Sequence, residues 1–308
     1  MPASVSVTLP VTLALDRVKL LLFQPFDLGK WFVIGFCAWL AHLGEQGFGG
    51  SFNFGSHQGQ GRNFQDHFEQ ARDYVLSNLH WIVPLAAGVL MVCVILGLVF
   101  LWLNCRGKFM FLHCVALNKA EVSVPWHKFA REGNSLFWFR VILGLIGFVL
   151  ILPLLALAGL AVFTMVAHHG PRVGAIFGLI AVMLMLIAVC ILLGLIGKLT
   201  TDFVVPIMFL RGRNCRAGWV ELLSLLSANV GGFVLYVLFQ IVLGLAIGML
   251  VLLVVIVTCC CAGCLMAIPY LGTVLLLPIL AFKRSYSLYY LAQYGREYDV
   301  FPRPTSAS

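Results

Sequence analysis

The chain has 308 residues, of which 61% are hydrophobic and only 10% are charged. Soluble domains are about 45–50% apolar and about 25% charged, so this chain has too few polar side chains to cover a water-exposed surface. The composition excludes an ordinary soluble protein. It predicts a single all-α polytopic membrane domain over 1–308, because helices satisfy their own backbone hydrogen bonds in lipid.

Six apolar runs follow one another along the chain, and a membrane-crossing helix needs about 20 apolar residues. The first run is short, and only TCCCAGCLMAIPY separates the fifth from the sixth. The segment before them contains Asp16, Arg17 and Lys19 and lacks a cleavage site of small residues, so we expect it to be retained. The predicted crossings lie at approximately 29–44, 81–104, 137–167, 173–198, 231–257 and 265–283.

The segment between the first two crossings, 45–80, differs in kind from the rest of the chain. Its first part, 45–66, is rich in Gly, Gln, Asn and Ser with interleaved Phe, which is typical of a flexible loop. QDHFEQARDYVLSNLHW then predicts a helical patch that leads into the second crossing. We expect a solvated extracytoplasmic connector, and a partner-binding loop is the alternative.

Lysine and arginine are distributed unevenly between the connecting segments. Seventeen of the 20 fall in the two terminal segments, 105–140 and 198–229, whereas the other side holds only Arg62, Arg72 and Arg172. The positive-inside rule therefore predicts a multi-pass protein of the bacterial inner (plasma) membrane with both termini in the cytoplasm. The net charge of +8 is then a topology signal. We expect no nucleic-acid partner, which would need base-stacking aromatics on a solvated basic face.

Three inward-going helices suggest an internal repeat. LNCRGKFMFLHCVAL, VVPIMFLRGRNC and LLPILAFKRSYSLYYL are each expected to become basic at the same depth. Cytoplasmic interfacial amphipathic helices and a polar N-cap residue (Asn134, Asn229 or Asp27) are expected to precede the outward-going helices. The pattern predicts a parallel repeat of inward helix, interfacial segment and outward helix, with a third copy split between the termini. Alternatively, any helical hairpin with basic inner loops has this pattern.

Three stretches carry a resemblance to a known family: LLFQPFDLGKWFVIGFCAWL, the run from TCCCAGC to IPYLGTVLLLPILAFKRSYSLYYL, and QYGREYDVF. They resemble a group of uncharacterised bacterial six-helix membrane proteins with a domain of unknown function. These are similar in layout to the membrane domain fused to some glycerophosphodiester phosphodiesterases. The resemblance implies a fold but no reaction, since the phosphodiesterase activity belongs to a separate soluble domain that this chain lacks.

Basic clusters just inside the membrane are candidate binding residues. Arg211, Arg213, Lys283 and Arg284 are expected to attract anionic lipid headgroups, at about 1 kcal/mol per charge. The alternative is that they serve topology alone.

Lys198 and Asp202 are four residues apart on one predicted helix, so we expect a neutralising ion pair near the inner boundary. A water-accessible cavity lined by Lys198, Asp202 or Gln240 would instead favour transport.

Cysteine and histidine residues near the outer helix ends are candidate ligands of a redox or metal site. Cys261 and Cys264 form a C-x-x-C motif, but no second pair or histidine lies nearby in sequence, and zinc needs about four ligands. Small packing residues are the expectation there, and a disulfide among these cysteines stays open. We expect no metal site and no cofactor. The residues concerned are Cys259, Cys260, Cys261, Cys264, His42, Glu45, His168 and His169.

No catalytic motif supports an enzyme. The leading expectation is a non-enzymatic inner-membrane protein that organises lipids or protein partners through its basic cytoplasmic face. The alternative is a transporter or channel for a small or lipophilic substrate. Membrane lipids are the expected partners. A homo-oligomer stays open, because Gly170, Gly174 and Gly178, like Gly244 and Gly248, have the spacing of close helix contacts.

Overall fold

The computed structural model describes residues 6–44, 77–167, 173–258 and 261–301. Within these ranges the chain is helical and contains no β-strand, which confirms the prediction of an all-α fold. The Gly-rich segment 45–66, Cys259, Cys260 and the histidines at 168 and 169 lie outside the described residues.

Twelve α-helices, two π-helical turns and a short 3₁₀-helix make up the described parts of the chain. In chain order they are α1 (Leu9–Val18) with the π-turn Lys19–Phe23, α2 (Leu28–His42), α3 (Leu79–Leu117), α4 (Ser123–Lys128), α5 (Ala130–Ala167), α6 (Val173–Leu199) with the π-turn Thr200–Val204, α7 (Val205–Arg211), α8 (Cys215–Ala228), α9 (Val230–Val257), α10 (Cys261–Ala267), α11 (Pro269–Leu275), α12 (Leu277–Ala292) and the 3₁₀-helix Arg296–Tyr298.

Four helical segments are long and apolar enough to cross a membrane: α3, α5, α9 and the continuous segment from α6 through α7. Their most apolar stretches are exposed, so these side chains pack against little of the protein itself. On α3 the exposed run 79–99 has 21 residues. At 1.5 Å per residue it measures about 31 Å, close to the roughly 30 Å of a bilayer's hydrocarbon core.

The hydrophobic core lies at one end of these helices. Residues 104–116 of α3 are buried except Arg106, as are most of 199–208 and most of 281–291, and α1 and α2 pack against them. We call this region, 6–42, 104–140, 198–233 and 277–301, the packed end. We call the apolar runs 79–99, 141–165, 176–194 and 241–257 the exposed end.

The first and sixth predicted crossings differ from the helices observed. With 15 residues, α2 is about 22 Å long, shorter than a bilayer core. It ends where the side-chain amide of Asn104 donates to the carbonyls of Ala41 (2.8 Å) and Leu43 (2.9 Å). The sixth segment is divided into α10, α11 and α12, with breaks at Ile268 and Leu276. Six crossings therefore stay a prediction.

Described residues near the two ends of the chain contact each other at the packed end. The side-chain oxygen of Gln293 accepts from the Ser6 backbone N–H at 2.8 Å, and the Gln293 amide donates to the Ser6 carbonyl at 2.9 Å. The Tyr286 hydroxyl donates to the carbonyl of Val7 at 3.1 Å, so α12 packs along α1. The N-terminal and C-terminal parts of the predicted split third copy therefore lie next to each other, as that copy requires.

The three predicted N-caps have three different outcomes. Asp27 caps α2, because its side chain accepts from the Gly29 N–H at 2.8 Å. Asn229 precedes α9, but its side chain makes no capping hydrogen bond. The prediction for Asn134 is wrong. This residue lies inside α5, because the helix already begins at Ala130. Its side-chain oxygen accepts from the Trp102 indole N–H at 3.0 Å.

Candidate functional site

A cavity of about 450 Å³ lies where the exposed end meets the packed end. Side chains of α2, α3, α5, α6, the following π-turn and α12 line it. Basic residues dominate its polar lining, and Asp202 is the one carboxylate among the described residues that form its wall. The basic residues are Lys108, Arg140, Lys198, Lys283 and Arg284.

Thr201 connects three of these cations, which come from three different helices. Its hydroxyl accepts from Lys108 Nζ at 2.8 Å and from Arg140 Nη2 at 3.1 Å. Its backbone carbonyl accepts from Arg284 Nη1 at 2.6 Å. One residue thus fixes side chains of α3, α5 and α12 around the cavity.

The π-turn Thr200–Val204 explains how a single threonine contacts basic side chains from three helices. A π-turn shifts the backbone hydrogen-bond register by one residue and is often found at functional sites. The hydroxyls of Thr200 and Thr201 donate to the carbonyls of Ile196 (2.6 Å) and Gly197 (3.0 Å) one turn earlier. The Thr201 hydroxyl oxygen is then left to accept from the basic side chains, while its carbonyl accepts from Arg284.

The arrangement brings like charges close together. Because Lys108 Nζ and Arg140 Nη2 share one acceptor, they lie at most about 6 Å apart, the sum of their two hydrogen-bond lengths. Two unit charges at that distance repel by about 3 kcal/mol at an effective dielectric constant of 20. Among the described residues of the lining, five cations and one carboxylate give a formal charge of +4. A bound anion would relieve this repulsion.

Asp202 is already engaged on two sides. Its carboxylate lies 3.0 Å from Lys198 Nζ, so the predicted ion pair is confirmed. The buried Tyr236 hydroxyl also donates to it at 3.0 Å, and the Gln240 amide donates to Tyr236 at 3.2 Å. These contacts place Gln240 behind the cavity wall rather than in it.

The four predicted headgroup residues fall into two places. Lys283 and Arg284 line the cavity. Arg211 instead lies on the surface beside the 3₁₀-helix, where its guanidinium is 2.8 Å from Glu221 and 3.8 Å from Glu297. Burial raises the pKa of the adjacent Tyr298, and its hydrogen bond to Glu221 raises it further. Arg213 is exposed and does not line the cavity.

The candidate metal ligands are not brought together in the described parts of the chain. His42 lines the cationic cavity, with its Nδ1 2.8 Å from the carbonyl of Ala38. The thiol of Cys264 is exposed. Within the described ranges no three His, Cys, Asp or Glu side chains form a metal-binding group.

Lys108 and Arg140 were missed by sequence reasoning, which counted them as part of a cytoplasmic connection. Both lie inside long helices, where apolar residues follow Lys108 in GKFMF and flank Arg140 on both sides in FWFRVIL. That pattern was the available signal: a charge within a continuing apolar run marks a boundary residue or a site rather than a loop.

The basic residues of the inward-going helices lie at different distances from the helix ends. Arg211 is the last residue of α7, whereas Lys108 lies nine residues before Leu117, the last residue of α3. Asp202 and Lys283 also lie nine residues before the last residue of their helical segments.

Residues 8–277 match the Family of unknown function (DUF7544), and the chain belongs to this family. No curated protein and no solved structure matches the chain. The family carries no assigned activity, so function has to be argued from the cavity itself.

Proposed function

We propose that this protein is a non-enzymatic integral membrane protein that binds anionic, phosphate-bearing groups at the headgroup layer of the membrane. The clustering of five basic side chains around one cavity, among the described residues, carries the proposal. The cavity adjoins helical runs of bilayer length, which supports a position at the headgroups. Lysine and arginine donors are the usual partners of phosphate oxygens.

Native mass spectrometry of the protein purified from nanodiscs of mixed lipids tests this binding. Wild-type protein is expected to retain anionic phospholipid in preference to phosphatidylcholine, and Lys108→Gln combined with Arg140→Gln is expected to reduce that preference at least tenfold. The exposed Lys128→Gln is the matched control, since Lys128 lies on α4 outside the cavity. Equal retention by all three proteins would refute the proposal.

We further propose six passes through the bacterial inner membrane, with both termini in the cytoplasm. The positive-inside count supports this orientation. Four of these passes are supported by α3, α5, α9 and the segment from α6 through α7, each long and apolar enough to cross a bilayer. A periplasm-active reporter inserted after residue 60 should be active, and one at the C-terminus should be silent. The reverse result would overturn the topology.

A threefold parallel repeat fits the same helices. The equivalent positions of Lys108, Asp202 and Lys283 support it, as do the short helices α1, α4 and α8 that precede α2, α5 and α9. On this proposal each copy contributes one inward helix to the cationic cavity. A solved structure in which α3, α6–α7 and α12 fail to superpose on one another by rotation would reject it.

Transport of a small or lipophilic anion is the second candidate function. The observation in its favour is that Lys198 and Asp202 line an open cavity, the arrangement that a transport site would need. Uptake of a labelled anionic lipid analogue into vesicles that contain the protein, compared with empty vesicles, decides between binding and transport. If uptake does not differ between the two kinds of vesicle, the protein binds the anionic lipid without transporting it.

A further inference from the structure

A second cavity, of about 530 Å³, continues from the cationic one along the exposed end. It lies between α5 and α6, and Arg140 and Leu143 line both cavities. Apart from Arg140, its lining is apolar or glycine. The two cavities therefore form one amphipathic space, with a cationic head and an apolar tail that meet at Arg140.

The length of the apolar cavity, which we call the groove, suits one leaflet of a bilayer. Its α5 lining extends from Leu143 to Leu155, thirteen residues, and the twelve steps between them measure about 18 Å. Half of a hydrocarbon core of roughly 30 Å is about 15 Å. A chain entering the groove from the headgroup layer would thus reach about the bilayer midplane.

Glycine keeps the groove open next to Arg140. A Cβ atom at Gly144 would meet no heavy atom within 4 Å, so the space in front of it is unfilled. At Gly147 a Cβ would lie 3.0 Å from Leu193 Cδ1 of the opposite wall. The space beside Gly144 is therefore open, whereas Gly147 lies close to Leu193 of the opposite wall.

We propose that the two cavities bind one lipid whose headgroup ends in a phosphate monoester, with the phosphate among the cations and one acyl chain in the groove. This inference rests on the proposed function and names its ligand class. A phosphate monoester carries about −1.5 to −2 charges at neutral pH, so it is attracted more strongly to a cluster of five basic side chains than a phosphodiester with a single charge. The continuous groove selects a lipid over free phosphate, because only a lipid fills both parts.

Chain length and headgroup are varied separately in the test. Purified protein in detergent is titrated with long-chain phosphatidic acid, short-chain phosphatidic acid, long-chain phosphatidylglycerol and inorganic phosphate, and the apparent dissociation constants are measured. Wild-type protein is expected to bind long-chain phosphatidic acid at least tenfold more tightly than each of the other three. Equal affinity for both chain lengths would overturn the inference.

Gly144→Phe places a large side chain in the groove from a position where a Cβ atom meets no heavy atom within 4 Å, and Gly159→Phe is its matched control. Gly159 lies on the same helix and is equally open, but it does not line the groove. The Gly144→Phe variant should lose the preference for the long chain and keep the preference for phosphatidic acid over phosphatidylglycerol. The Gly159→Phe variant should behave as wild type, and an unchanged chain-length preference in Gly144→Phe would contradict the proposal.

Arg140→Gln separates this inference from the proposed function. If Arg140→Gln abolishes the headgroup preference while Gly144→Phe changes nothing, the cationic cavity binds phosphate and the groove plays no part. If Arg140→Gln leaves every affinity unchanged, the proposed function itself fails. Saturable binding of inorganic phosphate as tight as that of long-chain phosphatidic acid would show a site for the free anion instead.

Discussion

The packed end and the exposed end of the long helices are built from the same kinds of residue, yet their side chains have opposite surroundings. Leu112 and Phe109 of α3 are fully buried, whereas Leu90 and Met91 of the same helix are each 65% exposed. The helix itself is continuous through both parts. The difference teaches that protein contacts specify only one end of this fold, while the other end, on the proposed membrane location, is surrounded by lipid.

Glycine substitutions on α3 test this difference with the largest expected effect. A Cβ at Gly107 would lie 2.5 Å from the Leu40 carbonyl carbon and 2.6 Å from the Ala41 nitrogen, both backbone atoms of α2. Gly107→Ala therefore has to push the two helices apart, and we expect a loss of about 1–3 kcal/mol of unfolding free energy. Chemical unfolding in detergent micelles, followed by circular dichroism, measures the loss.

Gly97→Ala on the exposed end is the control for this change. A Cβ at Gly97 would meet nothing within 4 Å, and alanine is the better helix former by roughly 0.5–1 kcal/mol. We expect Gly97→Ala to be neutral or stabilising. If both variants lost the same stability, the distinction between the two ends would be wrong for α3.

Removal of one hydroxyl tests whether Thr201 holds the packed end together at the cationic cavity. Thr201→Val keeps the shape of the side chain but removes the acceptor that Lys108 and Arg140 share. Replacing a hydrogen-bonded partly buried group costs about 1–3 kcal/mol, so we expect a loss of that order. The same unfolding assay measures it, and phosphate-lipid affinity should fall in parallel because the two cations lose their fixed positions.

Thr164→Val is the matched change at the exposed end. The Thr164 hydroxyl donates to the Ala161 carbonyl of its own helix at 2.8 Å, and it bonds to no other element among the residues that the structure describes. We expect a change of at most about 0.5 kcal/mol there. A loss as large as that of Thr201→Val would show that the π-turn threonine has no special structural role.

Sequence reasoning predicted the exposed end better than the packed end, for a physical reason. Hydropathy reports the solvent around a helix, so it locates the runs of α3, α5, α6 and α9. It does not report where a helix ends inside protein. The end of α2 depends on the Asn104 amide, a contact 61 and 63 residues away in the chain.

The candidate site was partly predictable by the same logic. Lys198 and Asp202 pair within one helix, and this i,i+4 spacing is visible in the sequence. Lys283 and Arg284 stand out as a basic pair. Lys108 and Arg140 acquire their role only when α3, α5 and the π-turn meet at Thr201, and no local pattern encodes that meeting.

Arg211 gives the smallest expected effect and sharpens the assignment of the cationic site. Its guanidinium is exposed and shared between Glu221 and Glu297, an arrangement that salt screens and that contributes little to stability. We expect Arg211→Gln combined with Arg213→Gln to shift the melting temperature less than Thr201→Val and to leave retention of anionic lipid unchanged. Loss of lipid retention comparable to that of Arg140→Gln would instead make these two arginines headgroup ligands, as the sequence alone suggested. The binding face would then extend from the cavity to the outer surface of the packed end.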